Sequence, residues 1–432
     1  MKVAFYTLGC KVNQYETQVL RQKFENNGFE IVTPDQISDV YIINSCTVTA
    51  TGDKKTRQII RRLKSINNNA IVVLTGCFPQ AFPDEAKKIK EADIITGTKN
   101  RQKIYDLVIE KLSLKDDSLP KKYILPNEND IYFEKMNISK FEGKTRAFIK
   151  IQDGCNRFCS YCIIPKARGR VRSKLIEDIK LEATELSNNG HKEIVLTGIN
   201  LSAYGQDINL NLIDAIKAVS DIKTVKRVRL SSFEPDVVSL DDIKNLSLID
   251  KFCPHFHLCL QSGCNETLSR MNRHYVTADY LNIVNTIRDN FKNPAITTDL
   301  MVGFPGETEE EFNKTLDFIK KVNFAKIHVF AYSKRPGTRA ALMENQILKA
   351  VKHQRSLKVI NIAKEMQYSF LKSQLNSISE VLFETKIDDN LYQGHSKNYT
   401  VVVTSSTENL CGKIKNVKIT NIKDDHCQGT IL

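Results

Sequence analysis

The chain has 432 residues, of which 41% are hydrophobic and 26% charged, a composition typical of globular proteins long enough for several domains. No apolar run approaches the ~18 residues that a membrane-spanning helix needs, and the N-terminus has no basic leader, so we expect a cytoplasmic protein without membrane contact. The net charge of +13 excludes little, but it favours a polyanionic partner such as a nucleic acid.

Strands alternate with helices over residues 1–112, which predicts an open parallel α/β sheet with right-handed crossovers. Three of these strands end at a cysteine: KVAFYTLGC at Cys10, DVYIINSC at Cys46 and AIVVLTGC at Cys77. Because the carboxyl ends of parallel strands meet at one edge, we expect the three thiols to converge there. Three thiolates would hold a metal centre with one open position, and the alternative is three buried structural cysteines.

A helix predicted over Asp53–Ile66, with Asp53 as its N-cap, carries a basic stripe on one face. The stripe is formed by Lys54, Arg57, Arg61 and Lys64. It would bind phosphates, or it is an ordinary solvated helix face.

Residues 113–144 are polar and irregular, and we interpret them as a linker. Strand-like runs separated by helical stretches then fill residues 145–342. The runs cover residues 147–152, 193–198, 227–232, 256–261, 295–303 and 325–332. These six β/α units are too few for a closed eight-stranded barrel, so we expect an open, partial (β/α)6 barrel. Functional groups of such barrels lie at the carboxyl ends of the strands.

The loop that leaves the first of these strands reads DGCNRFCSYC and holds Cys155, Cys159 and Cys162. The chain has eleven cysteines, an odd number that argues against a disulfide framework and favours metal ligands or buried thiols. Three neighbouring thiolates can hold three irons of a 4Fe-4S cube and leave the fourth iron open to a non-protein ligand. A zinc loop is the alternative, although zinc would need a fourth ligand at paired spacing.

The fourth strand of the partial barrel lies in CPHFHLCLQSGC, a segment rich in possible metal ligands. His255, His257 and Cys259 alternate onto one face, which should point into the barrel. We interpret this face as cavity lining. The alternative is a zinc site or a third cluster that also uses Cys253 and Cys264.

The last third begins with a basic helical linker over residues 343–376. Short alternating runs over residues 377–432 predict a small β barrel or sandwich. A basic, partly aromatic face would bind RNA there, and the alternative is a structural cap on the rest of the chain. The residues of this face would be Tyr399, Lys413, Lys415 and Lys418.

The two cysteine triads, with the segments LTGIN, SSFEP, LQSG, MNR, GFPGET and YSKRPGT, resemble the radical S-adenosylmethionine (SAM) methylthiotransferase family over nearly the whole chain. The resemblance implies an N-terminal domain with an auxiliary 4Fe-4S cluster, a partial barrel with a SAM-binding 4Fe-4S cluster, and a C-terminal TRAM domain. The auxiliary cluster would be held by Cys10, Cys46 and Cys77, and the SAM-binding cluster by Cys155, Cys159 and Cys162. SAM itself would be contacted by Tyr161, Gly198, Asn200, Ser232, Glu234, Gln261 and Arg273.

Within that family, GCKVNQYE, ARGRVRS and FAYSKRPGT resemble the members that modify threonylcarbamoyl-adenosine at position 37 of tRNA. These enzymes use SAM as radical source and methyl donor to add a methylthio group to carbon 2. Other members act on isopentenyl-adenosine in tRNA or on a ribosomal protein. A non-catalytic iron–sulfur RNA-binding redox regulator is an alternative of a different class. The resemblance also implies an electron donor, such as flavodoxin or ferredoxin, and a sulfur donor.

The segment ARGRVRS follows the second cysteine triad and carries Arg168, Arg170 and Arg172. These arginines would guide tRNA phosphates toward the loop, or they pair with acidic side chains on the barrel.

Overall fold

The computed structural model describes residues 1–113, 121–126, 132–235 and 239–432, and its first part is a parallel sheet. The strands of this sheet are Lys2–Thr7 (β1), Glu30–Val32 (β2), Val40–Ser45 (β3), Ile71–Gly76 (β4), Ile94–Thr96 (β5) and Lys121–Tyr123 (β6). They run parallel in the order β2-β1-β3-β4-β5-β6. The predicted parallel α/β sheet is therefore confirmed, with β2 and β6 as additional short edge strands.

Helices cover both faces of this sheet. They are Lys11–Asn26 (α1), Ala50–Ile66 (α2), Cys77–Ala81 (α3), Pro83–Lys87 (α4) and Lys103–Ser113 (α5). Successive side chains of β3 point to opposite faces, so Val40 packs on the side of α1 and α5, while Tyr41 packs on the side of α2. Burial on both faces explains why the strands read as nearly continuous apolar runs.

The helix α2 begins earlier than predicted, because Thr49 rather than Asp53 is its N-cap. The Thr49 hydroxyl accepts a hydrogen bond from the Gly52 amide at 3.2 Å. Asp53 lies in the first turn instead, where its carboxylate forms an ion pair with Arg335 at 2.6 Å. The predicted N-cap was wrong because a threonine four residues upstream fits the same role.

The predicted linker, residues 113–144, is described in part. Residues 114–120 and 127–131 lie outside the described residues. The described part contains β6, which adds to the edge of the first sheet by pairing with β5.

The second part is an open barrel of parallel strands. The strands of this part are Arg146–Lys150 (β7), Gln152–Asp153 (β8), Arg172–Ser173 (β9), Glu193–Thr197 (β10), Arg227–Leu230 (β11), Ser232–Phe233 (β12), His255–Leu258 (β13), Ala295–Val302 (β14) and Lys326–Ala331 (β15). Of these, β8 and β9 form a separate antiparallel ribbon outside the barrel sheets. The helices of this part are Ile164–Arg168 (α6), Ile176–Asn188 (α7), Leu212–Ser220 (α8), Leu240–Ser247 (α9), Asn265–Arg270 (α10), Thr277–Asn290 (α11) and Glu309–Val322 (α12), with 3-10 turns at Leu201–Ala203 and Arg339–Ala341.

The barrel strands follow chain order, as the sequence predicts. One sheet has the order β11-β10-β7 and the next β12-β13-β14-β15, and a parallel bridge between Val228 and Phe252 joins them. No pairing between β7 and β15 closes the ring among the residues that the structure describes. The expected partial barrel is therefore confirmed.

The third part is a closed five-stranded β barrel, which decides between the predicted barrel and sandwich. A helix, Lys349–Ser373 (α13), leads into Ile378–Asp388 (β16), Leu391–Ser396 (β17), Val401–Ser405 (β18), Ile414–Lys423 (β19) and His426–Ile431 (β20). The strand order is β16-β17-β18-β20-β19.

The closed barrel docks against the amino ends of the partial-barrel strands. The Arg227 guanidinium pairs with the Glu380 carboxylate at 3.0 Å and donates to the His395 carbonyl at 3.1 Å. Arg229 donates to the Lys397 carbonyl at 2.9 Å. Catalytic groups of β/α barrels lie at the carboxyl ends of the strands, so this docking leaves that rim open.

Candidate active site

The cysteines of the first sheet lie where parallel strands end. Cys10, Cys46 and Cys77 follow β1, β3 and β4, which are neighbours in the sheet. Gly9 has φ +111°, and a Cβ placed on it would lie 2.9 Å from the Cβ of Cys46, so the two loops are in close contact. Burial raises the pKa of the Cys77 thiol to about 12, and its electrostatic neighbours include Cys46 and Cys10. The structure thus brings these three thiols together.

The second triad lies on a single loop whose base is closed by a two-stranded ribbon. In this ribbon β8 pairs with β9, so that Asp153 lies opposite Arg172. Gly154 has φ +76°, and a Cβ there would lie 1.7 Å from the Arg170 carbonyl oxygen, so only glycine fits. Burial raises the pKa of the Cys162 thiol, and the thiols of Cys159 and Cys155 add to the shift.

A single metal ion requires its ligand atoms to lie close together. Zinc ligands lie ~2.3 Å from the metal, which places their sulfurs about 4 Å apart. Within the described ranges, His257, Cys259 and Asp299 are the one set of three donors that all lie within 4.8 Å of one another, and neither triad meets that limit. Neither triad thus forms a single-ion site by this measure, and three thiolates are the ligand set of an iron–sulfur cluster with one open iron.

Polar groups from three barrel strands surround the second triad. The Arg273 guanidinium lies 3.4 Å from the Cys159 sulfur and forms an ion pair with Glu234. The Asn200 amide nitrogen lies 3.7 Å from the Cys155 sulfur. The amide oxygen of Asn200 and the Nε of Arg273 are buried and have no hydrogen-bond partner in the part of the chain that the structure describes. Unpaired buried polar atoms beside the thiols are suited to bind a polar ligand there.

The other predicted SAM contacts are more dispersed. Tyr161 packs edge-on against Phe304, with ring centroids 6.4 Å apart. Gly198 and Ser232 line the central cavity described below. Gln261 has φ +64°, and its backbone bonds to Asp299 and Met301 of β14 fix it at the end of the fourth main strand.

A buried ion-pair network lies between the two triads, and it was missed by the sequence interpretation. The Nε of Arg168 donates to the Cys77 sulfur at 3.2 Å, and its guanidinium also bonds Asn13 and Glu16 of α1. Lys150 joins the same network, 2.8 Å from Glu16 and 2.5 Å from Asp153. The network connects the loop of one triad to the thiols of the other.

The three arginines of ARGRVRS differ in their surroundings. Arg168 and Arg172 are buried, and Arg172 lies 3.7 Å from Asp153, so these two pair with acids rather than face phosphates. One of the acids, Glu16, belongs to the first sheet and not to the barrel. Arg170 is exposed and stacks over the Phe158 ring at 4.7 Å.

Burial alone would raise the pKa of Glu16, but three cations outweigh it. Arg101, Arg168 and Lys150 lower the pKa of this carboxyl to about 2. The same balance lowers the pKa of Asp153, through Lys150, Arg168 and Arg172. Both acids are thus ionised in the folded protein and hold the network together.

The stripe on α2 also pairs with acids. Arg57, Arg61 and Lys64 form ion pairs with Glu85, Glu91 and Asp93 at 3.7, 3.3 and 3.1 Å. This pairing favours the solvated-face interpretation over a phosphate site.

A central cavity of about 630 Å³ collects residues from all three parts of the chain. The first sheet contributes Cys10 and Lys11, and the carboxyl ends of the barrel strands contribute Gly198, Ser231 and Ser232. His255, His257 and Asp299 face it from the barrel interior, and His395, Asn398 and Tyr399 enter from the closed barrel. One thiol of the first triad and the rim beside the second triad therefore share one cavity.

Tyr399 differs from its predicted role on an open RNA-binding face. Its ring is stacked between His255 and His395, with centroid distances of 4.5 and 4.4 Å. Arg146 and Arg229 lie over the ring at 5.0 and 4.8 Å. Tyr399 therefore closes one end of the cavity, because the β17–β18 loop inserts into the partial barrel.

The thiols around the fourth main strand do not form a third cysteine site. Cys264 is buried at the start of α10 and donates to Glu266 at 2.9 Å, while Cys253 is buried near Arg229. Cys259 lies instead beside His257 and Asp299. This separation argues against a third cluster on the three thiols, whereas His257, Cys259 and Asp299 lie close enough together for a single metal ion.

Comparisons with known proteins match this architecture. Residues 149–319 match the model of the radical SAM superfamily, and residues 2–97 match that of the uncharacterized protein family UPF0004. The chain is 41% identical to the threonylcarbamoyladenosine tRNA methylthiotransferase MtaB of Bacillus subtilis, over 96% of this chain and 93% of the relative. It is 39% identical to the MtaB of Aquifex aeolicus, over 85% and 88%.

A second group of relatives has a different name. The tRNA-2-methylthio-N(6)-dimethylallyladenosine synthase of Alkaliphilus oremlandii is 34% identical over 100% of this chain and 93% of its own length. Among solved structures, the radical SAM methyltransferase TsrM of Kitasatospora setae superposes with a TM-score of 0.59 at 14% identity, covering 79% of this chain and 77% of that one. That likeness supports the fold.

The fold and the two thiol triads define a radical SAM enzyme with an additional cluster domain. The chain belongs to the radical SAM tRNA methylthiotransferase family. Its cofactors are SAM and two 4Fe-4S clusters. Among the helices that the structure describes, none has the length and apolarity to cross a membrane.

Proposed function

We propose that this chain adds a methylthio group to carbon 2 of threonylcarbamoyl-adenosine at position 37 of tRNA, with SAM as both radical source and methyl donor. The observation that carries the proposal is the shared cavity, which Cys10 of one triad and the rim beside the other triad both line. Three relatives named for this nucleoside are 41%, 39% and 36% identical, whereas relatives named for the dimethylallyl nucleoside are 34–36% identical.

The residue roles follow from the placement of the side chains. Cys155, Cys159 and Cys162 would hold the SAM-binding cluster, and the first triad the auxiliary one. When bound, these clusters and SAM supply the radical and the sulfur, while the protein supplies binding, orientation and exclusion of water. SAM would be held by Tyr161, Gly198, Asn200, Ser232, Glu234, Gln261 and Arg273.

Asn200 and Arg273 carry the strongest support among the SAM contacts. The Asn200 oxygen and the Arg273 Nε are buried and unpaired, and both residues lie beside thiols of the second triad. Arg273 would pair with a carboxylate of the ligand, and Glu234 with an ammonium or a hydroxyl.

The tRNA itself would be held by cations outside the cavity. The net charge of +13 favours an RNA backbone, and Lys415 and Lys418 on β19 of the closed barrel are free of ion pairs among the described residues. The reaction would take place in the cytoplasm with an electron donor, such as flavodoxin or ferredoxin, and a sulfur donor.

The test uses reconstituted enzyme with reductant, SAM and two anticodon stem-loops, one with threonylcarbamoyl-adenosine and one with dimethylallyl-adenosine. We expect mass spectrometry to find the methylthio nucleoside in the first RNA and 5′-deoxyadenosine in solution. Product in the second RNA alone would assign the chain to the dimethylallyl enzymes. If reduced enzyme cleaves no SAM with either RNA, the redox-regulator alternative replaces the proposal.

A further inference from the structure

Lys11 is a cation that lines the cavity and has no carboxylate partner among the residues that the structure describes; its electrostatic neighbours of opposite sign are Tyr399 and Cys10. It begins α1 directly after Cys10, and its half-buried side chain lines the cavity. Its ammonium makes no ion pair or hydrogen bond with a side chain in the described parts of the protein. A charge that is partly removed from water is costly to leave unpaired, so this position is suited to an anion from outside the protein.

The two arginines whose charges act on Lys11, Arg146 and Arg229, are each paired with an acid. Arg229 donates to Glu193 at 2.6 Å, and Arg146 donates to Glu384 at 3.1 Å. The acids in the cavity wall are also placed next to histidines. Asp299 lies 3.4 Å from His257, and Asp425 lies 3.6 Å from His426. Arg146 and Arg229, which lie over the Tyr399 ring, are thus paired with acids, whereas Lys11 has no carboxylate partner among the described residues.

The two nucleosides that the relatives are named for differ in this charge. A threonylcarbamoyl group carries a carboxylate, whereas a dimethylallyl group is apolar. Both groups are attached to N6 of adenine. N6 is bonded to C6, and C6 and carbon 2 are the ring atoms on either side of N1, so N6 and carbon 2 lie on the same edge of the ring. A contact to the N6 substituent from the residue after Cys10 would therefore keep carbon 2 close to the first triad.

We propose that the Lys11 ammonium binds the carboxylate of the threonylcarbamoyl group and so selects this nucleoside over one with an apolar substituent. The inference rests on the proposed function, of which it specifies the substrate subsite. An apolar substituent would fill the space without pairing the charge, and sites with a buried polar group reject such analogues strongly. The contact also makes Lys11 a specificity-determining residue.

The experiment measures binding to the holoenzyme without reductant, so that no turnover occurs. The probes are two fluorescent anticodon stem-loops, one with threonylcarbamoyl-adenosine and one with its neutral methyl ester. The wild-type protein should bind the acid roughly 10- to 100-fold more tightly than the ester, as expected for one charge-assisted contact. Lys11→Met and Lys11→Gln should each remove this difference, and Lys11→Arg should retain most of it.

Controls separate a charge effect from a change of fold or cluster. Lys23→Met removes a charge near the far end of α1, where Lys23 pairs with Asp106 on the surface, and should leave the acid-to-ester ratio unchanged. An unchanged ratio in both neutral Lys11 variants would overturn the inference. Equal weakening of acid and ester would overturn it as well, because the lysine would then act through the fold.

Failure of the proposed function gives a different result. If reduced wild-type enzyme makes no methylthio product from the threonylcarbamoyl RNA, the proposed function fails whatever the binding ratio is. If product forms while the ratio is insensitive to Lys11, the function stands and the assignment of Lys11 is wrong.

Discussion

The two cysteine triads are built in opposite ways. Cys155, Cys159 and Cys162 lie on one loop closed at its base by β8 and β9, so their geometry is local. Cys10, Cys46 and Cys77 come from three separate strand ends, so their geometry exists only when the sheet is formed. The geometry of the local triad therefore depends on its loop, whereas the geometry of the convergent triad depends on the whole domain.

The largest expected effect comes from removing one cysteine of each triad. Cys155→Ala and Cys77→Ala should each lose about half of the iron, because each removes one ligand of a three-thiolate site. Cys155→Ala should also abolish formation of 5′-deoxyadenosine. Cys77→Ala should still form it and make no methylthio nucleoside. Iron analysis and mass spectrometry measure these outcomes.

The matched control is Cys411→Ala, which removes an exposed thiol of the closed barrel. It should keep the iron content and both products. Loss of all iron from either triad variant would contradict two independent sites.

A second prediction concerns Arg168, which connects the triads. Arg168→Met would leave Glu16 and Asp153 short of a buried cation, and removal of one partner from such a pair typically costs about 3–5 kcal/mol. Urea unfolding of the reconstituted protein measures the loss, and the iron of the first triad should decrease because the contact to Cys77 is removed. The variant Arg170→Met is the control, since Arg170 is exposed and should change stability by less than about 1 kcal/mol.

A third prediction concerns the glycines that precede the triads. Their substitution should change the iron content less than loss of a cysteine does, and by different amounts in the two triads. In Gly154→Ala the new Cβ meets backbone at 1.7 Å, so the loop must shift and iron should be lost from the second triad. In Gly9→Ala the nearest atom is a side-chain carbon at 2.9 Å, so part of the first triad should survive. Gly190 has φ +96° and open space around it. The variant Gly190→Ala therefore measures backbone strain alone, about 1 kcal/mol. Equal iron loss in all three variants would contradict the steric explanation.

Much of this architecture could be predicted from the sequence. The spacing of the second triad indicates a cluster loop, and strand–helix alternation is enough to place Cys10, Cys46 and Cys77 at one edge. The partial barrel follows from its strand-like runs. These features are either local or fixed by the general rules of parallel sheets.

The missed features depend on contacts between distant parts of the chain. Arg168 has a basic neighbourhood in sequence, and its partner Glu16 is 152 residues away on α1. Tyr399 lies on a loop of the closed barrel that enters the partial barrel, and a single tyrosine between polar residues gives no signal of that insertion. The pairing of buried charges in the site therefore could not be predicted from the sequence.

The smallest expected effect is a dependence of stability on acid pH through Glu16. Its pKa is about 2 in the folded protein, against an ordinary value of 4.5, because Arg101, Arg168 and Lys150 outweigh its burial. The unfolded chain therefore binds more protons below pH ~4.5, so this stabilisation is complete above that pH and is lost as the pH falls toward 2. By pH 4 the loss should be about 1 kcal/mol. Glu16→Gln should have a shallower fall of stability between pH 5 and pH 4, measured by urea unfolding, than Glu142→Gln at a half-buried site, where Glu142 pairs with Lys140 at 2.8 Å. The same slope in both variants would show that Glu16 is not held ionised by the network between the triads.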